Sequence, residues 1–340
     1  MPRPPLRVGV VYDFRNPPDS GIDTPRLYAE ILDQVAWLDG LGLDLVWFTE
    51  HHFVDDGYLP SWTPVAGAMA ARTKRVRFSS DICLLPFNHP IRLAEDLAVL
   101  DNLSGGRIEL GVGMGYAPHE FRGFGISLPQ RLSRTEEGIA VLRRCFTGER
   151  FSYNGTRYQF EDVVIRPRYV QPGGPPLWIA AMSSGGALRA AHFDAHLLPQ
   201  GPQDQVLEPW QEALKASGRD PASYRVGIIR GCLVTDDRER DWPAVRAAER
   251  YRGELYSRFF VESGRFQPVQ RDGPRIPQTW VVGDADHCVA ELSSFIAEHG
   301  ITDLVSWAVP PGLRPEQMNA SLERFARDVV PRLKAASAKT

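Results

Sequence analysis

Short apolar runs rich in β-branched residues alternate along this chain with longer stretches whose apolar positions recur every three or four residues. The runs RVGVVY, LDLVWF, VRFSSDICLL and RIELGVG are nearly continuous in apolar character, as expected of strands buried on both faces of a parallel sheet. Between the first two, TPRLYAEILDQVAWLDGLG spaces Leu27, Ile31, Val35 and Leu38 along one helical face. It carries Thr24 as an N-cap, Pro25 at the first helical position and glycines at the end. NHPIRLAEDLAVLDNLSGGR repeats the scheme through Ile91, Ala94, Leu97 and Leu100 and ends near Gly105. Strand starts near Val8, Leu43, Val76 and Ile108 lie 35, 33 and 32 residues apart, the length of one βαβ unit each. Further strands are predicted at PLWIAA, AHLLPQ, YRVGIIRGCLV and TDLVSWAV. Eight strands at this period predict an α/β chain folded as a (β/α)8 TIM barrel, one domain over residues 1–340. An open doubly wound sheet is the competing arrangement.

Two insertions interrupt the period. Over about 150–175, RFSYNGTRYQF reads as a hairpin with Asn154-Gly155 suited to a type I′ turn, and the proline-rich RPRYVQPGGPP returns the chain. Over about 236–280 the chain is charged and carries Trp242, Tyr251, Tyr256, Phe259 and Phe260. Lying between the seventh and eighth strands, it is expected to form a lid over the active face, a surface helix being the alternative.

Composition narrows the classes of partner. Apolar residues make up 43% and charged residues 24%, with a net charge of −3, an ordinary globular balance. There is no basic patch to suggest a nucleic-acid partner, and no apolar run approaches the ~18 residues of a membrane span. The beginning of the sequence lacks the pattern of a signal peptide. Cys83, Cys145, Cys232 and Cys288 are far apart, with no CxxC pair, so reduced thiols in a cytoplasmic protein are expected.

Candidate chemistry gathers where strands end, since a barrel places its active face at their C-terminal ends. Glu50, His51 and His52 follow the second strand. Side-chain alternation sends Glu50 and His52 one way and His51 the other, with His51 expected to face the pocket. His119, beside Glu120, is the nearest source of a further metal ligand, but no HxH or HExxH spacing supports a metal site. Glycoside hydrolysis would need two flanking carboxyl groups, and the fourth strand ends in GVGMG without one. The alternating glycines of GVGMGY, Gly111 to Tyr116, allow a flat or bulky ligand to approach the backbone. In AAMSSGGALRAAHF, a strand passes through Ser183, Ser184, Gly185 and Gly186 into a helix. Exposed first-turn N–H groups there suit a phosphate; plain N-capping is the simpler alternative.

These stretches resemble the bacterial luciferase-like family of flavin-dependent oxidoreductases. The likeness is carried by GLDLVWFTEHHF, by LLPFNHPIRLAEDLAVLDNLSGGRIELGVGMGY, by EFRGFG and by PPLWIAAMSSGGALRAA. The resemblance implies a barrel that binds reduced FMN, or a related deazaflavin, at its C-terminal face and acts on a small organic substrate. It also implies a homodimer and, for FMN-using members, a separate flavin reductase. The family histidine falls on His51, preceded by Glu50. The strand exit where members often carry a non-proline cis peptide falls on Asp81 and Ile82. Four departures stand out: Met114 occupies the place of a phosphate-binding arginine, Gly113 that of a luciferase cysteine, and Met182 and Gly186 those of a glutamate and a threonine. Ser183 persists. The expected activity is that of a flavin-dependent monooxygenase, with His51 orienting the substrate or moving a proton and Glu50 positioning it. Deazaflavin-dependent hydride transfer and a flavin-binding subunit with little catalysis are the alternatives.

Overall fold

A ring of parallel pairings can be followed strand by strand in the computed structural model, which describes residues 3–200, 203–264 and 277–338. Strand β1 (Arg7–Tyr12) pairs with β2 (Leu45–Phe48), and β2 with β3 (Arg77–Ser80). A cis peptide between Asp81 and Ile82 separates β3 from its continuation β4 (Cys83–Leu84). The next strand is β5 (Leu110–Gly113), reached from β3 through the parallel bridge between Phe78 and Ile108. After β6 (Phe151–Asn154) and β7 (Gln159–Val163), which among the described residues pair only with each other, come β8 (Leu177–Ala181) and β9 (His196–Pro199). Strand β5 pairs with β8 and β8 with β9; the bridge from Leu197 to Val226 leads on to β10 (Gly227–Ile229), continued by β11 (Gly231–Val234). Strand β12 (Trp280–Gly283) lies alongside β11, and β13 (Asp303–Trp307) joins β10 back to β1. The ring closes, so the sheet is a (β/α)8 barrel and the open-sheet alternative is excluded.

The helices follow the predicted order. They are α1 (Thr24–Leu41), α2 (Trp62–Ala70), α3 (Pro90–Ser104), α4 (Pro118–Gly123), α5 (Arg131–Phe146) and α6 (Ser184–His192). Then come α7 (Asp204–Ala216), α8 (Arg238–Glu262), α9 (Ala285–His299), α10 (Pro315–Arg324) and α11 (Val330–Ser337). Leu27, Ile31, Val35 and Leu38 form the buried face of α1 as their spacing requires. Its cap is Asp23, whose side chain accepts from the Arg26 N–H, so Thr24 is the first helical residue. The β6–β7 hairpin turns through four residues, closed by the Gly155 N–H donating to Tyr158 O. Gly155 is not in the left-handed region that a type I′ turn needs.

Inside the ring, the Trp47 and Trp178 rings meet edge to face at 6.0 Å. Gly227 leaves room for them: a Cβ there would lie 2.5 Å from Trp47. The lower end is closed by charge. Glu109 accepts from Arg7 (2.6 Å), Arg77 (2.5 Å) and the Trp178 indole (2.8 Å), while Asp303 accepts from Arg7 and Arg225. Two arginines beside it hold the Glu109 carboxyl down to about 2 in spite of burial, which alone would raise it. This network seals the floor and leaves the opposite mouth for a ligand.

Candidate active site

At the C-terminal ends of the strands, a cavity of about 240 Å³ opens beneath α8. Of the residues singled out from sequence, Glu50, His51, Asp81, Ile82, Gly113, Met114, Met182, Ser183 and Gly186 line it. Ser184 and Gly185 do not; they sit beside it as the first two residues of α6.

The histidine pair divides as strand alternation requires, but the carboxylate serving His51 is not the one beside it. Glu50 holds His52, with Nε2 and Oε1 3.0 Å apart, and accepts the Leu84 N–H. Its positioning role toward His51 is therefore corrected: a side chain two residues from His52 shares its direction, and His51 points away. Burial pushes the Glu50 carboxyl up, opposed by His52. His51 Nδ1 lies 2.9 Å from Glu120 Oε1, which also accepts the His52 N–H. A carboxylate on Nδ1 keeps the proton on that nitrogen, leaving Nε2 of the neutral ring as a base. The ring is walled by Tyr58 at 4.8 Å and Tyr256 at 5.7 Å. His119 does not converge on this group; its Nδ1 pairs with Glu262 of α8 at 2.7 Å.

Asp81 and Gln200 form the floor. Gln200 Nε2 donates to Asp81 Oδ1 at 2.8 Å, and Asp81 Oδ2 is buried without a partner. Burial pushes this carboxyl up to about 7, opposed by the bond from Gln200. A Cβ on Gly113 would fall 1.8 Å from Ile82 Cδ1, so glycine there is what lets Ile82 pack against β5.

The other end of the cavity carries the start of α6 and two arginines. Ser183 caps α6 with an extended backbone and makes no side-chain cap bond, so its hydroxyl is available to a ligand. The N–H groups of Ser184 and Gly185 start the helix and have no acceptor within it. Arg131 and Arg189 line the cavity as well, Arg189 Nε being 3.2 Å from Glu136 Oε1.

Helix α8 roofs the site. Tyr256 and Phe260 line the cavity, and the Tyr256 and Tyr58 hydroxyls are 2.8 Å apart, with Tyr58 also donating to Thr49. Arg252 reaches Asp13 at 3.2 Å and stacks over Trp307, Tyr251 donates to Asp56, and Arg122 and His119 hold Glu262. The end of the inserted segment, residues 265–276, lies outside the described residues.

Sequence reasoning missed Glu120, Arg131, Gln200 and the Tyr58–Tyr256 pair as parts of one site. Glu120 carried a signal, an acidic residue beside Phe121 in a helix of six residues, but it reads equally well as a charge at a helix start. The other three carried none.

Comparison with known proteins gives the family. The sequence profile of the family described as luciferase-like monooxygenase matches residues 6–303. The 4-hydroxyprotoasukamycin monooxygenase of Streptomyces nodosus subsp. asukaensis is 28% identical over 330 residues, covering 88% of this chain and 85% of the relative. The F420-dependent glucose-6-phosphate dehydrogenase of Amycolatopsis mediterranei is 26% identical over 331 residues, covering 90% and 95%. Among solved structures, the monooxygenase RslO1 from Streptomyces bottropensis superposes with a TM-score of 0.81 at 26% identity, covering 96% of this chain and 99% of that one.

Proposed function

The chain belongs to the luciferase-like monooxygenase family, and from that premise we propose that it oxygenates a small organic substrate with reduced FMN and molecular oxygen. The observation that carries this reading is one cavity, roofed by α8, that is lined by His51 and by Ser183 and Gly186. The residues fit a flavin. Ile82, Leu84, Met114 and Phe260 offer apolar walls for a flat ring, Asp81 Oδ2 is an unpaired polar atom for its edge, and Ser183, Arg131 and Arg189 suit a phosphate. The reduced flavin, when bound, supplies the electrons that activate oxygen.

The protein's part is placement, exclusion of water and proton handling. Ser183, the α6 amides and the two arginines hold the phosphate. Helix α8 keeps solvent from the ring and substrate, which a reactive oxygen species requires. His51 takes a proton from the substrate, or returns one, at Nε2, while Glu120 fixes its tautomer and orientation. Glu50 holds His52 and the β4 backbone rather than reacting. With Arg131 and Arg189 present, Met114 is no reason to assign a subunit without catalysis. A flavin reductase is the partner this scheme requires, and a homodimer in the cytoplasm is the expected setting. No described helix is long and apolar enough to cross a membrane.

The experiment is a set of anaerobic titrations of the purified protein with FMN, reduced FMN and reduced deazaflavin. Reduced FMN is expected to bind most tightly. Preference for the deazaflavin would replace oxygenation by hydride transfer, and binding of neither would remove the flavin reading altogether.

A further inference from the structure

The bond between Asp81 and Gln200 spans the barrel mouth. Asp81 follows β3 and Gln200 follows β9, with β5 and β8 between them in the ring, yet the side chains meet at 2.8 Å. Both backbones are pinned: the Asp81 N–H donates to Phe48 O at 2.6 Å and the Gln200 N–H to Ala181 O at 2.7 Å. The bridge thus fixes Asp81, a residue that lines the cavity, with its Oδ2 buried and unpaired. A fixed, buried and unsatisfied acceptor points to a ligand atom or a proton at that oxygen.

The other titratable or charged groups around the same space are Glu50 and His51 after β2, Tyr58, Tyr116 after β5, Arg131 and Arg189 at the anion end, and Tyr256 from α8. Among the described residues no cation pairs with Asp81. Glu50 is held by His52, His51 by Glu120, Arg189 by Glu136, and Tyr58 by Tyr256.

We propose that Asp81 couples binding of the reduced flavin to a proton: protonated, its Oδ2 donates to an acceptor on the ring, and ionised, it repels the anionic reduced ring. The inference rests on the flavin reading above. The proton comes from solvent and no electron moves in this step. Because burial brings the carboxyl to about 7, the group changes charge in the neutral range. A chain with an apolar residue here would bind the reduced ring without this dependence.

The test is anaerobic titration of the full-length protein with reduced FMN from pH 6 to 8.5, for wild type and Asp81→Asn. The ring's own ionisation is common to both, so the ratio of the two dissociation constants isolates Asp81. Above pH 7, wild-type affinity is expected to fall relative to the variant by up to roughly tenfold per pH unit. A second measurement needs no variant. Calorimetry of the wild type at pH 7.5 in two buffers of different ionisation enthalpy should show net proton uptake on binding reduced FMN. Parallel pH curves for the two proteins, or binding without proton uptake, would overturn the role of Asp81 and leave the flavin reading intact. No binding of reduced FMN by wild type at any pH would overturn the flavin reading itself, and this inference with it.

Discussion

His51 and Glu120 meet at 2.9 Å across 69 positions of sequence, while Glu50, the adjacent carboxylate, faces away and holds His52. The base is therefore oriented from α4, the short helix after β5, and the fold rather than the local motif assembles the pair. His51→Ala is expected to lower turnover by roughly 10²–10⁴-fold, the contribution of a positioned acid–base group, with reduced-FMN affinity within a few-fold of wild type. Glu120→Gln should lower kcat in the same direction with little change in KM. Steady-state oxygen consumption with an accepted substrate checks both; full activity in His51→Ala would remove it from the mechanism.

At the anion end, Arg131→Ala and Arg189→Ala should each weaken FMN binding by ~1.5–3 kcal/mol, the range for hydrogen bonds to charged groups, and Ser183→Ala by ~1 kcal/mol. Riboflavin, which has no phosphate, should bind all three variants as it binds wild type. Fluorescence titration with the two ligands separates the cases, and equal losses for both would place the phosphate elsewhere.

The roof is tied by bonds of unequal strength. Glu262 with His119 and Arg122 is partly exposed, and such pairs contribute ~0–1 kcal/mol. Arg252 is buried between Asp13, Glu249 and Trp307, where loss of one partner leaves charge unpaired. Glu262→Gln should speed amide exchange in the last turn of α8 without changing thermal stability measurably. Arg252→Met should speed exchange along the whole helix. Hydrogen–deuterium exchange resolved by peptide reads both.

Stability at low pH follows from Glu109. Its folded-state carboxyl lies at about 2 against an ordinary 4.5, so its contribution is complete above the ordinary value and is lost as pH falls toward 2. Asp303, raised by burial, works in the opposite sense. Glu109→Gln is expected to destabilise the fold at pH 7 by ~3–5 kcal/mol, as for breaking a buried ion pair, and to flatten the acid limb of a denaturation profile. An unchanged midpoint in urea would refute this.

What could be read from the chain follows a physical divide. The barrel strands are legible because parallel strands covered on both faces must be apolar throughout, and the helices between them show their buried stripes, as α1 does at Leu27, Ile31, Val35 and Leu38. Strand β12 escapes because four residues carry no period. His51 and Ser183 are legible because each stands at a strand exit. Their partners are not, since Glu120, Gln200 and Arg131 reach the cavity only once the ring closes; Gln200 joins Asp81 across 119 positions. The error over Glu50 has a different origin: side-chain alternation already sent Glu50 and His51 opposite ways, so adjacency in sequence was no ground for pairing them.

The central claim is that this mouth grips a reduced flavin and exposes it to oxygen under the control of the protein. The direct measurement is rapid mixing of the anaerobic protein–reduced FMN complex with oxygenated buffer, followed by absorbance, beside free reduced FMN. The account predicts a stoichiometric complex whose reaction with oxygen follows a rate and course distinct from the free flavin. Reoxidation identical to that of free reduced FMN, with the protein present in excess, would contradict it.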